Sequence, residues 1–432
     1  MLRTILLGAG IFAALLSILI FSGKIPLGNA KDKPVGEVVL WGTVDEVQMN
    51  TIVQEFNPQA KTYQVRYTEI PATQFSQKLL EALANGTGPD MIIVPHQLIL
   101  ANQTRLYPFP IGSLSEKKYK DLYVDGASVL FTPTGALALP VSIDPLVLFY
   151  NRTLFSKHGI VNPPQYWDEL VNMVPLLTIL DSRGQFVESA ISLGAPNTPY
   201  AKEIFMATVQ QLGQTPVLKQ YQEDGQPYLS VTANTPVTQE GEVFPLATAA
   251  RFFTQFSDPT KNTYTWSQYG GNAEDQFVAE KVAMYIGRAS ELATLRARNP
   301  KADLEMSYLP QTRGYNTFST TGQMYAIGTL KTSKNLVTAL TIEGEFASAG
   351  VSPAIASLMG TVPALRAYSS TEGLSDVIAR SMLVAKPWYD SFPIESVTLV
   401  STMLADIISG RAGAADAAAD FVSRLQDLYT PL

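Results

Sequence analysis

Residues 139–152 constrain this chain more than any other stretch: an apolar strand with one acid, Asp144, at its mouth runs straight into a helix start. Upstream, strands and helices alternate. Residues 37–42 read as a strand, and 45–57 as a helix with Val47, Ile52, Val53 and Phe56 on its buried side. Residues 63–70 alternate as a second strand, and 75–85 form a helix with Phe75, Leu79, Leu80 and Leu83 at helical spacing. The turn Gly86-Thr87-Gly88-Pro89-Asp90 then enters the apolar strand 91–94; with no Lys-Ser/Thr after it, it is a turn rather than a phosphate loop. This order predicts an α/β fold, a mostly parallel sheet flanked by helices, with ligands bound beyond the carboxyl ends of the strands.

A chain of 432 residues suits two lobes of ordinary domain size. Apolar residues make up 46% and charged residues 16%, a globular balance, and the net charge of −7 leaves no basic footprint for nucleic acid. The absence of cysteine excludes disulfides, thiolate metal sites, cysteine nucleophiles and a thioether-linked lipid. The two histidines, His96 and His158, are too few for a histidine-rich metal site, or for a conventional Ser-His-Asp triad unless one of them serves. No cofactor and no metal is expected.

At the N-terminus, Arg3 precedes an uncharged apolar run over 5–21, about 17 residues, at the lower limit for spanning a bilayer and longer than the usual core of a cleaved signal. It reads as an uncleaved membrane anchor in preference to a removed signal peptide, although Gly28-Asn29-Ala30 offers a small-residue cleavage site further on. The flanking charges do not set orientation by themselves.

Downstream, short motifs follow in order: Trp41-Gly42 closing the first strand, Gly88-Pro89-Asp90, the segment 139–170, Ala283-Met284 after Glu280-Lys281, Leu309-Pro310, and the strand and helix over 322–347. Gly360-Thr361-Val362-Pro363 and the ending Ser409-Gly410-Arg411 with Ala415-Asp416-Ala417 complete the set. Together, over about 37–428, the chain resembles the extracellular solute-binding proteins of the carbohydrate type, similar to maltose- and multiple-sugar-binding proteins and the receptor half of ABC importers.

That resemblance implies a two-lobed fold, each lobe a mostly parallel sheet with helices, which closes around a ligand as its crossover segments bend. The expected division is 1–34 as anchor and linker, 35–143 plus 327–367 as lobe 1, and 144–326 plus 368–432 as lobe 2. The implied partners are a small-molecule solute, in first place a carbohydrate, the transmembrane subunits of an ABC permease, and the membrane through the N-terminal helix. The implied location is the extracytoplasmic face of the cell membrane, or the secreted or periplasmic space if the leader is cut.

Sugar receptors stack aromatic rings on the apolar face of a sugar and direct carboxylates, amides and arginines at its hydroxyls. Candidates on the expected ligand-facing loops are Asp45, His96 and Gln97 from lobe 1, Asp144 at the first crossover, and Tyr200 after the fifth strand. Trp266 and Tyr269 lie in a Gly-flanked loop read as exposed, and Trp388 and Tyr389 precede the penultimate helix, where relatives of the maltose-binding kind carry stacking aromatics. Many relatives also place a tryptophan just after the Ala-Met strand; here Gly287-Arg288-Ala289-Ser290 stands instead, so Arg288 or Ser290 would suit a more polar or acidic ligand. Each candidate has a plainer role open to it: Asp144 as a cap for the helix after Asn151, His96 as a surface-loop residue, Trp41 and Trp167 as packing residues.

No catalytic residue is expected. The adjacent acids Asp168-Glu169 and Glu274-Asp275 do not face each other across a substrate, and no Gly-x-Ser-x-Gly or His-Glu-x-x-His occurs. The alternatives to a sugar receptor are a receptor for an anion, metal or other solute on the same fold, and a membrane-tethered hydrolase.

Overall fold

The computed structural model describes residues 36–58, 63–221, 227–238, 242–315 and 318–430, so the expected N-terminal anchor lies outside the described residues. The chain divides into two compact units, one holding Met1–Asp144 and Gln323–Leu374, the other Pro145–Gly322 and Ser375–Leu432. It therefore passes between units after residues 144, 322 and 374.

Unit 1 begins with β1 (Gly36–Gly42), α1 (Glu46–Phe56), β2 (Tyr63–Glu69), α2 (Ala72–Ala84), β3 (Met91–Pro95) and α3 (His96–Ala101). Strand β4 (Leu139–Asn151) carries the chain into unit 2 and α4 (Arg152–Lys157) follows. Next come α5 (Trp167–Leu177), β5 (Phe186–Ile191), α6 (Ala201–Gln211), β6 (Val217–Tyr221) and β7 (Pro227–Val231). Unit 2 continues through α7 (Pro245–Thr254), α8 (Ala273–Val278), β8 (Val282–Arg288), α9 (Glu291–Arg298) and β9 (Leu304–Ser307). Strand β10 (Gly322–Leu330) and α10 (Leu336–Phe346) belong to unit 1 apart from Gly322, and α11 (Asp376–Val384), α12 (Pro393–Ile408) and α13 (Ala414–Tyr429) return to unit 2.

In unit 1, β2, β1 and β3 are parallel, while β10 runs antiparallel to β3, with Tyr325 opposite Pro95. The reversal follows from connectivity: β10 comes in from unit 2 instead of returning over a helix as a parallel strand does. In unit 2 the sheet is mixed as well, with β5 parallel to β8 but β8 and β9 antiparallel to β4. All five residues of β3 and nearly all of β4 are buried, as a sheet covered on both faces requires.

The helix faces differ from expectation in detail. Met49, Ile52 and Val53 form the buried stripe of α1, while Val47 is 77% exposed because at about 3.6 residues per turn it lies on nearly the opposite face of the helix. On α2, Phe75 and Leu79 are buried four residues apart, and Leu80, a further 100° round, faces solvent.

The polar region 213–245, whose short pieces are β-prone, contains the antiparallel pair β6–β7, which α13 secures: Val231 N donates to Gln426 Oε1 (2.9 Å) and Gln426 Nε2 to Leu229 O (3.0 Å). Trp167, at the start of α5, packs edge-on to Phe252 and donates Nε1–H to Gln211 Oε1 at 2.7 Å. Gln211 is fully buried and its Nε2 donates to Pro310 O and Ser319 O, both at 3.0 Å, so one side chain satisfies two loop carbonyls as well as the Trp167 indole.

Candidate functional site

In unit 1 the carboxyl ends of β1 and β3 lie side by side, with Gly42 paired to Ile93. Only glycine fits at position 42: a Cβ there would come within 2.6 Å of Ile93 and 2.7 Å of the Tyr67 hydroxyl. The loop leaving β1 puts Asp45 in an exposed N-cap, its carboxylate accepting Gln48 N–H at 2.9 Å, a bond that also suits the helix dipole. Past β3, His96 and Gln97 begin α3. His96 is buried rather than a surface-loop residue, and its Nδ1 accepts Met324 N–H at 3.4 Å, tying α3 to β10. Gln97 Oε1 is buried with no hydrogen bond among the described residues. Asp144 is the last residue of unit 1 and only 5% exposed; the helix cap once open to it belongs instead to Asn151, whose Oδ1 accepts Leu154 N–H at 3.0 Å.

In unit 2 the corresponding end carries Tyr200, Arg288 and Ser290. Arg288 closes β8 opposite Leu146, two residues into the unit. Tyr200 precedes α6 in a left-handed backbone conformation (φ 56°), uncommon for a non-glycine residue and a mark of a geometrically fixed side chain. Its hydroxyl donates to the Glu291 carboxylate, which also accepts Arg288 N–H at 3.0 Å, and the Arg288 guanidinium stands 5.1 Å from the Tyr200 ring centroid. Burial, with Glu291 beside it, holds the Tyr285 phenol far above its usual range. Gly287 leaves room for this cluster, since a Cβ there would lie 2.6 Å from both Glu291 Oε2 and the Tyr285 ring. Ser290 is the N-cap residue of α9 and makes no side-chain cap bond.

Two residues beyond Tyr200, Lys202 reaches Asp390: Nζ and Oδ2 are 2.7 Å apart, with Ser396 Oγ bonded to both at 3.2 and 3.0 Å. The side chains are 5% and 0% exposed. Trp388 lies 5.7 Å over the same ammonium, and Tyr389 packs against Tyr429 and beneath Lys219, whose amine burial lowers to about 8. Trp388 and Tyr389 are thus buried rather than standing free as platforms.

Trp266 and Tyr269 lie elsewhere. Trp266, expected on an exposed loop, belongs to the buried cluster around Phe149, Phe277 and Tyr285. Gly270 next to it signals close packing, not mobility, because a Cβ would fall 2.8 Å from the indole. Tyr269 is 86% exposed. The adjacent acids serve as arginine clamps: Asp168 and Glu169 hold Arg313 at 2.9 and 2.8 Å, and Glu274 and Asp275 hold Arg298. Among the described residues no group of three or more acidic or histidine side chains could hold a metal ion.

Sequence reading missed Lys202, Asp390 and Glu291. A signal existed for the first, since a lysine in the opening turn of a helix runs against the dipole and calls for a partner acid.

The family model described as bacterial extracellular solute-binding protein matches residues 43–342. Proteins named as binding proteins in Brucella abortus and Brucella suis are 26% identical over 160 residues, 35% of this chain, and that match spans only 38% of their length. Among solved structures, the sugar-binding protein MalE of Xanthomonas citri superposes with a TM-score of 0.72 at 15% identity, covering 91% of this chain and 97% of its own. A cyclo/maltodextrin-binding protein complexed with maltotetraose gives 0.71 at 18%, covering 94% and 100%. The GacH receptor of Streptomyces glaucescens, solved unliganded and with acarbose, gives 0.66 at 17%, covering 91% and 98%. At such identities the likeness establishes a shared fold. With the family model spanning well over half its length, the chain belongs to the bacterial extracellular solute-binding proteins, a family of binding proteins and not of enzymes.

Proposed function

We propose that this chain is an extracytoplasmic receptor that captures a sugar or oligosaccharide and presents it to the transmembrane subunits of an ABC importer. The observation that carries this reading is the fold shared over at least 91% of the chain with proteins described as sugar or maltodextrin binding. The residues at the two strand ends have the right chemistry. Asp45, Gln97 and Asp144 on unit 1, with Tyr200, Arg288 and Ser290 on unit 2, offer carboxylate, amide, phenol, guanidinium and hydroxyl groups for a polyhydroxylated ligand. Trp388 and Tyr389 contribute by shaping the unit 2 end beside Lys202. The apolar run over 5–21 holds the receptor at the membrane.

A second reading, a receptor for an anionic solute, is favoured by Arg288, whose guanidinium stands 5.1 Å from the Tyr200 ring centroid at the end of β8. A thermal-shift screen of the full chain against maltose, maltotriose, glucuronate, amino acids and inorganic anions decides between them. A ligand at 100 times its Kd stabilises the bound fold by about 2.7 kcal/mol. The expected result is a raised melting midpoint with maltose or maltotriose; stabilisation by glucuronate or inorganic anions alone would transfer the assignment to the second reading, and by amino acids alone would end both.

A further inference from the structure

A cavity of about 410 Å³ lies wholly within unit 2, lined in part by Phe186, Tyr264, Trp266, Tyr269, Gln276 and Lys281. It sits at the amino-terminal ends of β5 and β8, where Ser189 pairs with Val282 and donates its N–H to Lys281 O at 2.9 Å. Arg288 and Ser290 mark the other end of β8, about 20 Å away at roughly 3.3 Å per residue. The cavity is therefore no part of the Tyr200–Arg288–Lys202 end.

Its walls combine two chemistries. Phe186 and Tyr264 form a tilted ring pair at 4.9 Å, Trp266 anchors the loop in the core, and Tyr269 projects at 86% exposure with its backbone N–H bonded to Ser267 Oγ. Against these rings stand the Gln276 amide and the Lys281 ammonium, which makes no salt bridge among the described residues. A large exposed tyrosine beside a concavity with convergent polar groups, at the small end of the size range for ligand sites, is the composition that holds one flat-faced, hydroxylated ring. An aromatic face takes the C–H side of such a ring, while amide and ammonium donors take its oxygens.

We propose that this cavity is a second ligand site, independent of the strand-end site, that takes a single hydroxyl-rich ring of hexose size. The test uses the full chain with methyl α-D-glucopyranoside as probe, read by saturation-transfer NMR and by tryptophan fluorescence. Tyr269→Ala and Lys281→Ala, both at exposed positions, are expected to weaken probe binding by about tenfold or more, about 1.4 kcal/mol, whereas Val161→Ala, at an exposed position of unit 2 outside both sites, leaves it unchanged. Absence of any saturation transfer to the probe would overturn the proposal. So would binding that survives both cavity variants. Maltotriose titration of the same cavity variants keeps the two failures apart: its binding persists if only the cavity site fails and is absent if the proposed receptor function fails.

Discussion

Lys202→Met will destabilise unit 2 by about 3–5 kcal/mol, the penalty for stranding one member of a buried ion pair. Asp390 is fully buried, and after the substitution its carboxylate keeps only Ser396 Oγ at 3.0 Å and Phe392 N–H at 3.2 Å. Two neutral donors do not replace an ammonium at 2.7 Å in surroundings that exclude water. The double variant Lys202→Met/Asp390→Leu removes both charges and is expected to regain most of the loss, because such pairs contribute little net stability over apolar replacements. Urea midpoints for the wild type, the single and the double variant check this. A single variant as stable as the wild type would mean that water reaches Asp390 and that the pair does not fix the loop carrying Trp388 and Tyr389.

Glu343→Gln will flatten the dependence of stability on pH above the acid range. Glu343 lies on α10 in the core of unit 1, its Oε2 accepting the Thr329 hydroxyl at 2.7 Å and its Oε1 without a hydrogen bond among the described residues. Burial holds its carboxyl well above the usual value, and the nearby phenols of Tyr119 and Tyr123 are raised too, with Glu343 contributing. Below the ordinary glutamate value both folded and unfolded states are protonated and no penalty arises. As pH rises past it the unfolded chain releases the proton while the folded chain keeps it, so stability falls with increasing pH, by about 1.4 kcal/mol per pH unit for one proton, until the folded group itself titrates. Glutamine keeps the shape and an acceptor for Thr329 without the proton linkage. The stability gap between Glu343→Gln and wild type should therefore widen from pH 5 to pH 8; a constant gap would show that Glu343 is ionised in the fold.

The strands most readable in the chain were those whose burial leaves no alternative. The runs that became β3 and β4 are apolar on both faces, and α1 and α2 declare themselves by the spacing of their apolar residues. Helix faces were less legible, because Val47 and Leu80 are apolar in type yet lie off the stripe that the sheet covers. The β6–β7 pair depends on Gln426, nearly two hundred residues away, a contact with no local signature. The same limit applies to the strand-end residues. Asp45, Gln97 and Tyr200 follow strands and Asp144 lies within β4, whereas the Lys202–Asp390 pair joins residues 188 apart, so that only the lysine's place against the helix dipole hints at it. Trp266 misled for a different reason: glycine beside an aromatic residue suggests a mobile loop, whereas here it makes space for the indole.

The central proposal, that this chain binds a sugar through the polar residues named above, is tested most directly by calorimetric titration of maltotriose into the full chain and into Asp144→Asn and Arg288→Ala. The account predicts saturable binding to the wild type and an affinity lower by about tenfold or more in each variant, about 1.4 kcal/mol, with melting midpoints unchanged. Wild-type affinity in both variants, or no saturable heat with the unaltered chain, would contradict it.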